Sequence, residues 1–162
     1  DRALSGNVPR SLDILLVDDS PTIVKMTTMM LQKLGHRVTN AENGEAAIEC
    51  VLQRNRLRGE SFDLILMDLQ MPVMDGLEAT KRIRNYERGP AATPKLFKNP
   101  GSVSPVKGEH LLAKQKIIGM SANSDSEALQ IASDYGMDMF VEKPFNAQSF
   151  QNIVEKLFTT SH

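Results

Sequence analysis

Residues 12–21 read Leu-Asp-Ile-Leu-Leu-Val-Asp-Asp-Ser-Pro. The aliphatic run is apolar on both sides of an extended chain, broken only by Asp13, which suits a strand covered on two faces as in a parallel sheet. It ends abruptly in two acids, Asp18 and Asp19, and then in Ser20-Pro21, which supply an N-cap and a first helical residue. A helix follows at once, because Ile23, Val24, Thr27, Met30, Leu31 and Leu34 keep helical spacing until Gly35. The first unit of the chain is therefore a strand, an acidic corner and a helix.

The same order recurs downstream. Residues 62–67 form a second apolar run, closed by Asp68. A short strand at Arg37–Ala41 precedes it, followed by a helix over about 44–57 with Ala47, Ile48, Val51 and Leu52 on its inner face. A third helix is predicted from Asp75-Gly76 through Leu77, Thr80 and Ile83 to about residue 86. Residues 116–120 read as a fourth strand, and residues 123–126 are rich in N-cap types before the stripe Ala128, Ile131, Ala132 and Tyr135, which Gly136 closes. Met139–Glu142 is the last strand, and Phe150, Ile153, Val154, Leu157 and Phe158 line the last helix. Five such alternations predict an α/β fold with a doubly wound parallel sheet.

One stretch breaks the pattern. Residues 87–115 carry four of the eight prolines, several glycines and no sustained period, so they read as a long, flexible insertion. A helix that leaves the carboxyl edge of the third strand ends at the opposite edge, which places the insertion away from Asp68. Thr93-Pro94 and Ser104-Pro105 read as ordinary loop prolines before they read as proline-directed phosphorylation sites.

Composition narrows the function by exclusion. A chain of 162 residues is one ordinary domain, here assigned to residues 11–160 behind a linker at 1–10. A net charge of -1 without aromatic-basic clustering gives no footprint for nucleic acid. The lone Cys50 cannot form an internal disulfide and reads as a small buried hydrophobe on a helix. No apolar stretch reaches the roughly 18 residues of a membrane span, and the N-terminus has no hydrophobic signal region. The start at Asp1 without methionine suggests a piece of something longer. His36, His110 and His162 show no ligand spacing, and the nine methionines read as core or adaptable contact surface.

Four short signals converge when the strands are laid side by side: Val17-Asp18-Asp19, Leu66-Met67-Asp68, Gly119-Met120-Ser121-Ala122 and Glu142-Lys143-Pro144. Open α/β sheets bind ligands at the carboxyl ends of their strands, and these acids, hydroxyl and ammonium all fall there. Three neighbouring carboxylates repel, which raises the proton affinity of at least one unless a hard cation with oxygen ligands intervenes. With Met71-Pro72 and Asp75-Gly76 after Asp68, the chain resembles the receiver domains of two-component response regulators, in the order and on the strands that family requires.

The resemblance implies a flavodoxin-like five-stranded sheet of order 2-1-3-4-5, with the insertion between helix 3 and strand 4 as the main departure. It implies Asp68 as the phosphoacceptor, Mg²⁺ as cofactor, Asp19 as its direct ligand, Asp18 as the acid orienting its water shell, and the Gln70 carbonyl as a further ligand. Lys143 matches the lysine that pairs with a phosphoryl oxygen, Ser121 the switch hydroxyl, and Ala122 the small neighbour allowing close approach. Phe140 stands where the family carries a switch aromatic, often tyrosine. Gln70 and Asn123 occupy the positions that tune hydrolysis, and neither is acidic. Receivers of this kind hold the bond corresponding to Lys143-Pro144 in cis.

The implied partners are a histidine kinase or histidine phosphotransfer domain as donor and a downstream output domain or protein, with no nucleic acid and no membrane contact by this chain. The expected location is the cytoplasmic side, in a parent that is a hybrid kinase, membrane-bound or not, or a regulator. Two other readings stay open. One is a receiver-shaped interaction module that takes no phosphate, against which the intact acids and Lys143 count. The other is an aspartyl-phosphate phosphatase, disfavoured because Gln70 stands where a second acid is needed.

Overall fold

The computed structural model describes residues 11–89, 112–123 and 125–159. Its elements alternate as β1 (Asp13–Val17), α1 (Pro21–Lys33), β2 (Arg37–Ala41), α2 (Gly44–Arg58), β3 (Leu64–Asp68), α3 (Gly76–Glu87), β4 (Lys116–Ser121), α4 (Ser126–Asp134), β5 (Met139–Glu142) and α5 (Ala147–Thr159). The five strands are parallel and lie in the order β2-β1-β3-β4-β5.

Strand periodicity decides which core each side chain enters. Leu15, Val17, Ile65, Met67 and Ile117 face one cluster, built with Ala47 and Val51 of α2, Ala79 and Ile83 of α3, and Ala132 of α4. Ile14, Leu16, Leu64, Leu66, Ile118 and Met120 face the other, with Leu31 of α1 and Phe150, Val154 and Leu157 of α5. Two helices thus cover one face and three the other, which is why β1 and β3 are apolar along nearly their whole length.

Local chemistry sets the helix ends where the sequence signals them. Ser20, Asn43, Asp75 and Asp125 each accept a hydrogen bond from a backbone N–H three residues on. Gly35 and Gly136 follow α1 and α4 with φ of 94° and 102°. The bounds differ from expectation by one or two residues: α2 ends at Arg58 before Gly59, β4 extends through Ser121, and β3 begins at Leu64 rather than Phe62 and includes Asp68.

Residues 90–111 and 1–10, to which an insertion and a linker are assigned, lie outside the described residues. Both flanks of the insertion are built into the fold at the edge opposite Asp68. Arg84 of α3 is the node: its Nη1 donates to the Glu87 carboxylate and, at 2.6 Å, to the Gln115 carbonyl. Its Nε donates to the Gly136 carbonyl and its Nη2 to Asp138 Oδ2. Glu87 in turn accepts the Gln115 N–H, and the Gln115 side chain accepts the Phe62 N–H. Leu112 and Gln115 are buried, so the chain rejoins the core before β4 begins.

Candidate functional site

The acids are brought together by register. Val17 lies opposite Met67, so the next residues, Asp18 and Asp68, emerge side by side from β1 and β3. Asp68 pairs with Met120, and one step further Ser121 pairs with Glu142, after which comes Lys143. The carboxylates of Asp18, Asp19 and Asp68 offer oxygens within 4.8 Å of one another. Asp18 and Asp68 are buried, whereas Asp19 is exposed on an open groove that Leu69, Gln70, Met71, Pro72 and Asp75 also line.

Each buried carboxylate is held at both oxygens. Asp18 accepts the Ser20 N–H at 2.9 Å on Oδ1 and Lys143 Nζ at 3.1 Å on Oδ2. Asp68 accepts the Gln70 N–H at 3.3 Å on Oδ1, and its Oδ2 lies 3.3 Å from Lys143 Nζ. Lys143 follows β5, its peptide bond to Pro144 is cis, and its N–H donates to the Ser121 carbonyl at 2.7 Å. One ammonium therefore bridges two buried acids.

That arrangement is electrostatically unbalanced. Burial, and then the Asp18 charge, push the Asp68 carboxyl up to about 6, against a partial pull downward from Lys143. Burial alone would lower the Lys143 ammonium, yet its bond to Asp18 and the Asp68 charge hold it above the ordinary lysine value. An all-oxygen donor set with one exposed member fits a hard divalent cation that keeps part of its water shell.

The imbalance has a consequence for stability. A carboxyl whose pKa is higher folded than unfolded binds more protons in the native state, so stability falls as pH rises from about 4 through about 6. Asp68→Asn removes that charge and should stabilise the metal-free protein by on the order of 1–2 kcal/mol above pH 7. The gain should vanish near pH 4. Urea midpoints of both proteins in EDTA at the two pH values measure it, and a gain independent of pH would show that Asp68 is not the strained acid.

Ser121, the expected switch hydroxyl, stands at the same edge, and its Oγ accepts the Asn123 N–H at 3.2 Å. Phe140 is half-buried on β5 and packs into the cluster under α2, α3 and α4. Gln70 lies beside Asp68 through its N–H, and its carbonyl as a metal ligand stays a proposal.

Two glycines matter more than their sequence setting suggests. A Cβ on Gly76 would collide with the Asp68 carbonyl oxygen and sit 2.8 Å from Met67 Cγ, so α3 starts in direct contact with the end of β3. A Cβ on Gly119 would press on Met137 and lie 3.3 Å from Phe140 Cδ2. A glycine inside a strand is the usual mark of close approach and was the available signal for the second. Val73, exposed in the loop between β3 and α3, has φ of 71°, a left-handed conformation that a β-branched residue takes only under strain.

Comparison with known proteins agrees with this geometry. The family profile described as "Response regulator receiver domain" matches residues 14–94, half of the chain. Probable histidine kinase 1 of Oryza sativa subsp. indica is 37% identical over 152 residues, which cover 89% of this chain and 15% of that protein. Hybrid signal transduction histidine kinase B of Dictyostelium discoideum is also 37% identical, over 81% of this chain and 6% of its own length. The chain therefore spans a small part of the curated relatives it matches.

Among solved structures, the Mg²⁺-complexed receiver domain of the Arabidopsis thaliana histidine kinase CKI1 is 29% identical, with a TM-score of 0.68 over 90% of this chain and 91% of that one. The receiver domain of the Pseudomonas aeruginosa sensor kinase PA1611, with a magnesium ion in its active-site cleft, is 27% identical, with a TM-score of 0.65 over 90% and 96%. On its profile match, its strand order and the acids its register gathers, this chain belongs to the family of response regulator receiver domains of two-component systems.

Proposed function

We propose that the site accepts a phosphoryl group on Asp68 from a phosphohistidine. The observation that supports this most is the state of Asp68: a buried carboxylate at a strand end, beside two further acids and one bridging lysine. A carboxylate oxygen of Asp68 attacks phosphorus, the P–N bond breaks, and its electron pair leaves with the imidazole nitrogen. The product is an acyl phosphate on Asp68.

Asp18, Asp19, Asp68 and the Gln70 carbonyl would hold Mg²⁺, which supplies charge neutralisation for the acids and the incoming phosphoryl oxygens. Lys143, already 3.3 Å from Asp68, is placed to pair with a phosphoryl oxygen once the charge arrives. Ser121 would donate its hydroxyl to another, and Phe140 would turn beside β4 as the state changes. Neither Gln70 nor Asn123, at the flanking positions, can serve as a general base for hydrolysis.

The relatives at 37% identity are histidine kinases far longer than this chain, which supports a receiver carried by a hybrid kinase. Its partners would be a histidine kinase or a histidine phosphotransfer domain as donor and a separate output. A place on the cytoplasmic side, in a parent that is itself in a membrane or free of it, follows from the same reading. Among the described residues no helix is long and apolar enough to cross a membrane.

The test is intact-mass measurement after incubation with acetyl phosphate. One phosphoryl group should be added with Mg²⁺, none with EDTA, and none to Asp68→Ala. Equal labelling of wild type and Asp68→Ala would overturn the assignment, and a folded, Mg²⁺-binding chain that never labels would favour an interaction module.

A further inference from the structure

Ser121 is tied in two directions. Its carbonyl receives the Lys143 N–H at 2.7 Å, and its hydroxyl receives the Asn123 N–H at 3.2 Å. Asn123 passes the constraint on through its side chain: its Nδ2 donates to Asp125 Oδ2 at 3.1 Å, and its Oδ1 accepts the Asp125 N–H at 3.3 Å. Asp125 Oδ1 then accepts the Ala128 N–H at 2.8 Å and is the N-cap of α4. A continuous line of hydrogen bonds runs from a hydroxyl at the same sheet edge as the acids to the first turn of a helix.

That helix is thinly seated. Of its nine residues only Ala132 is buried, while Leu129 and Ile131 are 43% and 37% exposed and Tyr135, at its C-cap, is 39% exposed. A helix with so small an apolar footing takes an unusual share of its stability from its cap, and a cap is worth about 1 kcal/mol. The caps of α1, α2 and α3 resemble that of α4, but α2 and α3 bury four and five residues, and α1, which like α4 fully buries one, is a 13-residue helix that also packs Val24 and Met30 against the core, so each is less exposed to the loss of one bond.

We propose that Asn123 and Asp125 are positioning residues that carry a change at the Ser121 hydroxyl to the N-terminus of α4. When the Ser121 oxygen itself swings toward the acids by rotation about χ1, its hold on the Asn123 N–H loosens. The paired bonds between Asn123 and Asp125 then lose their anchor, and the Ala128 N–H loses its cap. The signalling sense of this relay rests on the phosphoacceptor reading, whereas the coupling itself is a property of the unphosphorylated chain.

A double-mutant cycle on the full chain, without phosphodonor, tests it. The reporter is the amide exchange rate of Ala128 read by NMR. Ser121→Ala removes the acceptor for Asn123 and should raise that rate on the order of three- to fivefold, as expected for the loss of about one hydrogen bond. In an Asn123→Ala background the relay is already cut, and the same Ser121→Ala change should alter the rate by less than about 1.5-fold.

Equal factors in both backgrounds, or no effect of Ser121→Ala in the wild type, would overturn the proposal. Asp125→Asn, which keeps an oxygen for the cap, should restore most of the protection that Asp125→Ala loses. Failure of Asp68 to label would leave these factors unchanged, so the two readings fail separately.

Discussion

Arg84→Met should cost about 3–5 kcal/mol of folding stability, a large share of the 5–15 kcal/mol typical of a domain. Arg84 is 9% exposed and ties α3 to the Glu87 carboxylate, the Gln115 and Gly136 carbonyls and Asp138. Methionine fills similar volume but leaves Glu87, itself only 7% exposed, as a buried charge without its guanidinium. The cost comes less from the lost attraction than from the orphaned acid. Adding Glu87→Leu to Arg84→Met should therefore recover part of the loss. Urea denaturation of the two variants measures both effects, and a cost below about 1 kcal/mol would mean that the node is solvated and does little to anchor the insertion.

Gly76→Ala should be nearly as damaging, by about 3 kcal/mol or more, for a different reason. The new methyl group would meet the Asp68 carbonyl oxygen, part of the backbone of β3, which cannot swing aside as a side chain can. Relief requires α3 to withdraw from the end of β3. That movement would also disturb the Gly76 N–H bond to the Leu69 carbonyl and the Asp75 cap on Glu78, and with them the loop that carries Gln70. Lost stability should thus come with weakened Mg²⁺ binding, measured by titration of the folded variant. Tolerance within about 0.5 kcal/mol would show that the contact is not as close as the backbone places it.

The parts of this protein that were legible in its sequence are those written in local patterns. Apolar runs ending in Asp18-Asp19 and Asp68 are strands with acids at one edge because strand side chains alternate and parallel sheets are covered twice. Ser20-Pro21, Asp75-Gly76 and Gly136 mark helix ends through capping chemistry that acts within a turn. The meeting of Asp68 with Lys143 depended on topology, and the resemblance to receivers supplied it.

What stayed hidden is long-range or conformational. Arg84 sits in a polar helical stretch with no local pattern to mark it out, because its partners at Gln115, Gly136 and Asp138 lie 31, 52 and 54 residues away. Gly76 reads as a turn residue when its need is steric. Asn123 and Asp125 read as interchangeable cap candidates, and only the folded loop shows that they bond to each other. Val73 carries no sign of its left-handed backbone, since glycine or asparagine would be expected there.

Asp68, alone among three adjacent acids, should receive the phosphoryl group. The most direct measurement is to label the chain with acetyl phosphate and Mg²⁺, reduce the acyl phosphate with borohydride, and locate the reduced residue by peptide mass. The mark should fall on Asp68 and disappear when EDTA replaces Mg²⁺. A mark on Asp18 or Asp19, or one that persists without the metal, would mean that Asp68 is not the Mg²⁺-dependent phosphoacceptor.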